Sequence, residues 1–97
     1  MEKRDYYIIL YDFYSSLFTD KQREYFEDYY FNNLSLSEIS ENVGISRNAI
    51  HKTIKLIENK LLFYEESLLL YEKSKKIRFI IDKIDNDELK NDLEGLL

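Results

Sequence analysis

The sequence predicts an all-α fold, and three observations support this prediction. The 97 residues include no proline and two glycines, so little favours the tight turns that link short strands. Apolar residues recur every three to four positions over most of the chain, as in amphipathic helices. Helix start and stop sequences separate these repeats. We expect a helix-turn-helix core over residues 1–57 and a long-helix extension with a C-terminal helix over residues 58–97, within one compact unit.

The first helix is predicted from about Lys3 to Leu17. Apolar side chains, many of them tyrosines, follow two of its faces, and polar Asp5 and Asp12 share the remaining one. An apolar surface this wide exceeds what one neighbouring helix covers, so the helix belongs in a small aromatic core. A self-association surface is the alternative, because tyrosine suits a half-exposed contact.

Capping sequences delimit the next two helices. Thr19–Gln22 is a capping box that opens a second helix, which Asn32-Asn33 closes. Ser35–Glu38 is another capping box, and the short helix that it opens ends at Gly44. Glycine adopts positive φ without steric penalty, which is what a tight turn at this position requires.

A fourth helix begins directly after this turn, with Ser46 as its cap. A short helix, a three-residue turn and a longer helix form a helix-turn-helix. Its core-facing positions are predicted to be Ile39, Val43, Ile45, Ile50 and Ile54.

The start of the fourth helix is the candidate nucleic-acid site. In helix-turn-helix proteins the second helix enters the major groove, where arginine pairs with guanine, asparagine with adenine, and lysine with phosphate. The residues in these positions are Ser46, Arg47, Asn48, His51, Lys52 and Lys55. A solvated helix end or a protein docking element is the alternative, since the net charge is −5 and function does not follow from fold.

A second basic cluster lies further along the chain. It consists of Lys73, Lys75, Lys76 and Arg78. These side chains either contact nucleic-acid phosphate or form a solvated face that balances Glu72 and Asp82. Acids concentrate at the chain ends instead, which favours docking on a protein or a defined RNA over general coating of DNA.

The fourth helix is predicted to be long. No glycine or proline stands between Ile45 and Glu94, so the helix is expected to run from 47 to 84, roughly 57 Å. A heptad seam follows it from Ile50 to Tyr71. Its outer members are predicted to form a homodimer contact: Leu61, Tyr64, Leu68 and Tyr71. The alternatives are that the first helix covers them, or that a C-terminal helix opened by residues 85–87 folds back over them.

Other chemistry finds little support in the sequence. The chain has no cysteine, and its single histidine has no partner at metal-ligand spacing. No catalytic constellation or glycine-rich phosphate loop stands out, so we predict neither an enzyme nor a cofactor. No apolar run approaches the length of a membrane span, and the N-terminus does not read as a signal peptide. We therefore expect a soluble, cytoplasmic protein.

Two resemblances arise at these residues. The segment "LSLSEISENVGISRNAI" resembles the fourth region of bacterial sigma factors, a helix-turn-helix that reads promoter DNA. A longer segment, Asp12 to Lys55, is similar to the signature of the YlxM family of small bacterial proteins, and Leu61 to Tyr71 continues the likeness. The chain departs from that pattern at Asn48, Lys52 and Leu56, which alters the exposed face of the fourth helix.

The YlxM resemblance implies an all-helical protein of the signal recognition particle pathway. It implies contact with the particle's RNA, its protein or its receptor. We therefore expect a non-enzymatic accessory or regulatory protein of that pathway. The alternatives are a sigma-like transcription regulator that binds duplex DNA and a purely structural dimerisation module.

Overall fold

A computed structural model describes all 97 residues. It contains six α-helices and no strand, which confirms the all-α prediction. The first helix is shorter than predicted, because a 3₁₀ turn over Ser15–Leu17 replaces its last turn. The molecule measures 54 × 24 × 23 Å, and no helix combines the length and apolarity that crossing a bilayer requires. The helices are α1 (Lys3–Tyr14), α2 (Asp20–Tyr30), α3 (Leu36–Val43), α4 (Arg47–Leu68), α5 (Leu70–Ile81) and α6 (Asp87–Glu94).

The predicted helix caps are present. Thr19 and Gln22 form a reciprocal capping box at α2, and Ser35 and Glu38 form one at α3. Each box satisfies two backbone amides that a helix start leaves without partners. Asn33, just after α2, has a φ of 54°, the left-handed conformation that asparagine tolerates well.

The core is aromatic and centred on α4, against which α1, α2 and α3 all pack. The ring of Phe26 is stacked between two tyrosines, with centroids 4.2 Å from Tyr11 and 4.4 Å from Tyr30. Such offset ring pairs add to the free energy gained from burying their area. The predicted placement of α1 in an aromatic core is therefore confirmed.

The prediction of one continuous helix from 47 to 84 is wrong. The helix breaks at Leu69, which has φ 56° and ψ 32°, so that α4 ends at Leu68 and α5 begins at Leu70. A left-handed leucine costs about 1–2 kcal/mol because its Cβ crowds the following carbonyl. Other contacts must therefore stabilise the break.

Two buried side chains supply these contacts. The Glu65 carboxylate accepts hydrogen bonds from the backbone amides of Tyr71 (3.0 Å) and Glu72 (3.1 Å), at the start of α5. The Tyr14 hydroxyl donates to Glu65 at 2.6 Å and accepts from the Leu70 amide at 3.0 Å. Burial and the hydrogen bond to Glu65 raise the pKa of Tyr14 to about 12, so this hydroxyl stays a donor at neutral pH. We call this arrangement the Leu69 joint.

The outer part of the heptad seam is mostly covered within the chain. Leu61 is fully buried in the core. The Tyr64 ring lies 5.9 Å from Tyr14, and the Tyr71 ring lies 5.9 Å from Phe13 (centroid distances), so α1 covers both. The alternative, in which the C-terminal helix folds back over the seam, is not seen. Helix α6 packs on α5, and the residues after it, Leu96 and Leu97, line a groove with Phe13 and Leu70. Leu68 alone of the four predicted contact residues is exposed.

Candidate nucleic-acid interface

The helix-turn-helix lies where the sequence predicts it. Gly44 ends α3 with a φ of 77°, and the Ser46 hydroxyl caps α4 by accepting the Ala49 amide at 3.1 Å. Ile39 and Ile50 are fully buried between the two helices and fix their packing. Ile45 is an exception to the predicted core positions, because it sits in the turn and is exposed.

The structure brings the six predicted contact residues together on the first turns of α4, and all six are exposed. Arg47, His51 and Lys55 are spaced four residues apart and share one helix face. Asn48 and Lys52 form the adjacent row. Ser46 already uses its hydroxyl oxygen as the helix cap.

Only some of these basic side chains are free of ion pairs within the chain and so available to bind phosphate. Arg47 and Lys52 form no ion pair, whereas the Lys55 ammonium lies 3.5 Å from the Glu58 carboxylate. On α3, hydrogen bonds from the Ser35 backbone and hydroxyl lower the pKa of the Glu38 carboxyl. Unpaired positive side chains therefore lie at the start of α4, and negative side chains lie on α3.

Glu58 is a residue of this site that the sequence interpretation overlooked. It is buried and accepts a hydrogen bond from the Tyr30 hydroxyl, which ties α4 to α2. Burial and this bond to a carboxylate raise the pKa of Tyr30. The signal was available in the sequence, because Glu58 lies four residues after Ile54 and three before Leu61, on the core-facing stripe of α4.

A shallow groove runs beside the exposed face of α4. The groove is lined by Tyr29, Leu36, His51, Ile54, Lys55 and Glu58. The tyrosine beside this groove is suited to stacking an unpaired base, whereas the Glu58 carboxylate that pairs with Lys55 disfavours a phosphate at the same place. The groove opens directly onto the predicted contact residues, since His51 and Lys55 belong to both.

The second basic cluster lies on α5, beyond the Leu69 joint, and it does not join the α4 site. Lys75 pairs with Glu72 at 3.1 Å, which raises the pKa of Lys75, and its ammonium lies 4.6 Å from the centre of the Tyr71 ring. Arg78 lies 3.9 Å from the Glu94 carboxylate. Lys73 and Lys76 form no ion pair. Half of the cluster is thus neutralised within the chain.

Comparisons with known proteins agree with this architecture. A family model described as "Putative helix-turn-helix protein, YlxM / p13 like" matches residues 1–96. A UPF0122 protein of Thermoanaerobacter sp. (strain X514) is 51% identical over 76 residues, which is 78% of this chain but 65% of that relative's length.

Two further relatives match over nearly their whole length. A UPF0122 protein of Ureaplasma parvum serovar 3 is 45% identical over 94 residues, covering 97% of this chain and 95% of the relative. One of Bacillus cereus (strain AH187) is 37% identical over 105 residues, covering 99% and 96%. The chain therefore belongs to the UPF0122 family of YlxM/p13-like helix-turn-helix proteins.

Proposed function

We propose that this protein is a non-enzymatic regulatory protein that binds nucleic acid through the first turns of α4. One observation carries the proposal. The second helix of the helix-turn-helix begins with three exposed polar side chains, Arg47, Asn48 and Lys52. Neither Arg47 nor Lys52 forms an ion pair within the chain. These positions meet base edges in proteins with this motif.

The charge pattern supports a defined target. Arg47 and Asn48 supply the bidentate donors that read guanine and adenine, and Lys52 supplies a phosphate contact. Glu38 and Glu41 on α3 repel the phosphate backbone on that side, where many helix-turn-helix proteins cross it. We therefore expect the protein to engage one groove or loop of a structured nucleic acid. Its net charge of −5 disfavours binding along nucleic acid regardless of sequence or structure.

The resemblance to YlxM proteins supports the signal recognition particle pathway as the setting. The partner in this proposal is the particle's RNA, its protein or its receptor, and the compartment is the cytoplasm. The groove beside Tyr29 and His51 favours RNA, because sequence-specific RNA recognition mostly uses unpaired, stacked bases.

A sigma-like transcription regulator is the second candidate. The segment from Leu34 to Ile50 resembles sigma region four, and Arg47 and Asn48 suit the major groove of duplex DNA. This candidate requires a straight duplex and no unpaired base. The two candidates therefore differ in the nucleic acid that binds.

Fluorescence anisotropy separates these candidates. The wild-type protein is titrated into the labelled signal recognition particle RNA and into a duplex DNA library, each at several salt concentrations. We expect Arg47→Ala with Lys52→Ala to weaken binding and to flatten the salt dependence, by about one unit of slope for each phosphate that the variant no longer neutralises. Tyr29→Ala is expected to weaken RNA binding alone.

The matched control is Lys75→Ala with Arg78→Ala, which removes two bases that are paired within the chain. This control should bind as the wild type does. Loss of binding in the control, with unchanged binding by the Arg47 and Lys52 variant, would contradict the proposal and assign binding to α5. Binding to duplex DNA but not to RNA would favour the sigma-like candidate.

A further inference from the structure

The outer surface formed by α1 and α5 carries two stripes of opposite charge that nothing within the chain neutralises. On α1, Asp5, Ile9 and Asp12 are spaced four and three residues apart, which places them on one face. We call them the acidic stripe. Both aspartates are exposed, and neither forms an ion pair.

The basic stripe consists of Leu70, Lys73 and Ile77 on α5, spaced three and four residues apart. Leu70 is 42% exposed and Ile77 is 40% exposed, so both aliphatic side chains are accessible beside the lysine. Unlike Lys75 and Arg78 in the same helix, Lys73 has no acidic partner.

The two stripes lie side by side, because α1 and α5 pack on each other. The Tyr71 ring contacts both Tyr6 (6.1 Å between centroids) and Phe13 (5.9 Å). Phe13 lines one groove together with Ile9 and Asp12, and a second groove together with the basic stripe and the C-terminal residues Leu96 and Leu97. Across this surface the order is acidic stripe, Phe13, basic stripe.

We propose that a second copy of this chain docks on this surface, with its acidic stripe on the basic stripe of the first copy and its basic stripe on the acidic one. A two-fold axis that passes near Phe13 and runs parallel to the stripes produces this pairing, because a two-fold contact uses the same patch on both subunits and this axis exchanges the two sides of the patch. The surface carries both charges in adjacent rows, so it is complementary to itself. It replaces the heptad seam, which α1 covers, as the homodimer contact.

The area of this surface can be compared with the areas that known protein–protein interfaces bury. Two helices of 12 residues are each about 18 Å long, and packed helices lie about 8–10 Å apart. The face therefore offers roughly 350 Å² per subunit, or about 700 Å² in total, which is below the roughly 1,200–2,000 Å² of stable specific interfaces and in the range of weak, transient contacts. We therefore expect a weak, reversible dimer that is populated mainly at the upper end of the concentration range.

Variants in which the charges of the two stripes are reversed test the proposal. Their dimer Kd is measured by sedimentation equilibrium from low micromolar to submillimolar concentration. Asp12→Lys alone and Lys73→Asp alone each place like charges opposite one another, and each should raise the dimer Kd at least about tenfold. The double variant, Asp12→Lys with Lys73→Asp, exchanges the two signs and should restore a Kd close to that of the wild type. Lys21→Asp on the exposed face of α2 makes an equal charge change elsewhere and should leave the Kd unchanged.

The restoration is the decisive result, because a variant that only damaged the fold would not recover. A strict monomer of 11.8 kDa throughout the range would overturn the proposal, and so would a double variant that dimerises no better than the single ones. If the protein stays monomeric and Lys73→Asp instead abolishes binding to the labelled RNA, the basic stripe is a nucleic-acid contact and the dimer is excluded. This inference does not depend on the proposed function, since Arg47→Ala with Lys52→Ala leaves both stripes intact.

Discussion

Two helices of this protein end at a residue with positive φ, and the two ends are stabilised differently. At Gly44 the φ is 77°, and every determinant lies within a few residues: the glycine itself, the end of α3 and the Ser46 cap. At Leu69 the φ is 56°, and the side chain that completes the joint, Tyr14, lies 51 positions before Glu65. The first turn is specified locally and the second by tertiary contacts.

The difference explains why one turn contains a glycine and the other contains a leucine at positive φ. A turn specified locally needs a residue that adopts positive φ at little cost, and glycine does so. At the Leu69 joint, a buried carboxylate and a tyrosine hydroxyl satisfy three backbone amides of α5. Those hydrogen bonds offset the cost of a left-handed leucine, because buried amides without partners are destabilising. Each turn should therefore respond to a different substitution.

The largest effect is expected at Glu65. Glu65→Ala leaves the Tyr14 hydroxyl without its acceptor and the Tyr71 and Glu72 amides without partners. Removing one member of a buried network of this kind costs about 3 kcal/mol. Urea unfolding measures the loss. Amide hydrogen exchange should show faster exchange at Leu70, Tyr71 and Glu72, with α3 unchanged until global unfolding.

Glu66 provides the matched control, since it is the adjacent acid of α4 and is exposed. Glu66→Ala should change the free energy of unfolding by less than about 0.5 kcal/mol. Equal losses in the two variants, or unchanged exchange at the start of α5, would show that the joint does not depend on the Glu65 carboxylate.

The next effect is expected at Gly44. A Cβ there meets no atom within 4 Å, so a substitution is penalised by the backbone conformation and not by a clash. Gly44→Val should destabilise the fold by about 2 kcal/mol, because a β-branched residue strongly resists positive φ. Gly44→Asn should cost markedly less, since asparagine tolerates this conformation. Chemical unfolding of both variants tests the ranking, and a valine variant as stable as the asparagine one would contradict it.

The same contrast marks how far the sequence predicts this protein. The capping boxes, the Gly44 turn and the exposed start of α4 follow from short-range patterns, and the structure has them all. The break at Leu69 has no such signal, because leucine favours a helix and its stabilising partner lies on α1. The burial of Glu65 leaves one trace, since it follows Leu61 by four residues on the same core-facing stripe of α4. A carboxylate on a core-facing stripe indicates a tertiary hydrogen bond.

The candidate interface divides in the same way. The six exposed residues at the start of α4 follow from the motif, and the i,i+3 pairing of Lys55 with Glu58 follows from helix spacing. The hydrogen bond that Glu58 accepts from Tyr30 depends instead on how α2 packs against α4. Likewise, the seam residues Tyr64 and Tyr71 are covered because α1 packs across them. A helical repeat predicts which side chains share a face, and it leaves open which neighbour covers that face.

The smallest effect, and the sharpest test of the comparison, is expected at Leu69 itself. Leu69→Gly relieves a left-handed conformation worth about 1–2 kcal/mol, while the added freedom of the unfolded chain costs about 0.5–1 kcal/mol. These changes nearly cancel, so the free energy of unfolding should shift by less than about 1 kcal/mol. Leu68 is the matched control, because it is similarly exposed, 46% against 42%, but lies within α4. Leu68→Gly gains no relief of strain and should cost about 1 kcal/mol from helix propensity alone. Urea unfolding of the two variants decides the matter: Leu69→Gly must be the milder by about 1 kcal/mol, and the reverse order would show that Leu69 is not strained at the joint.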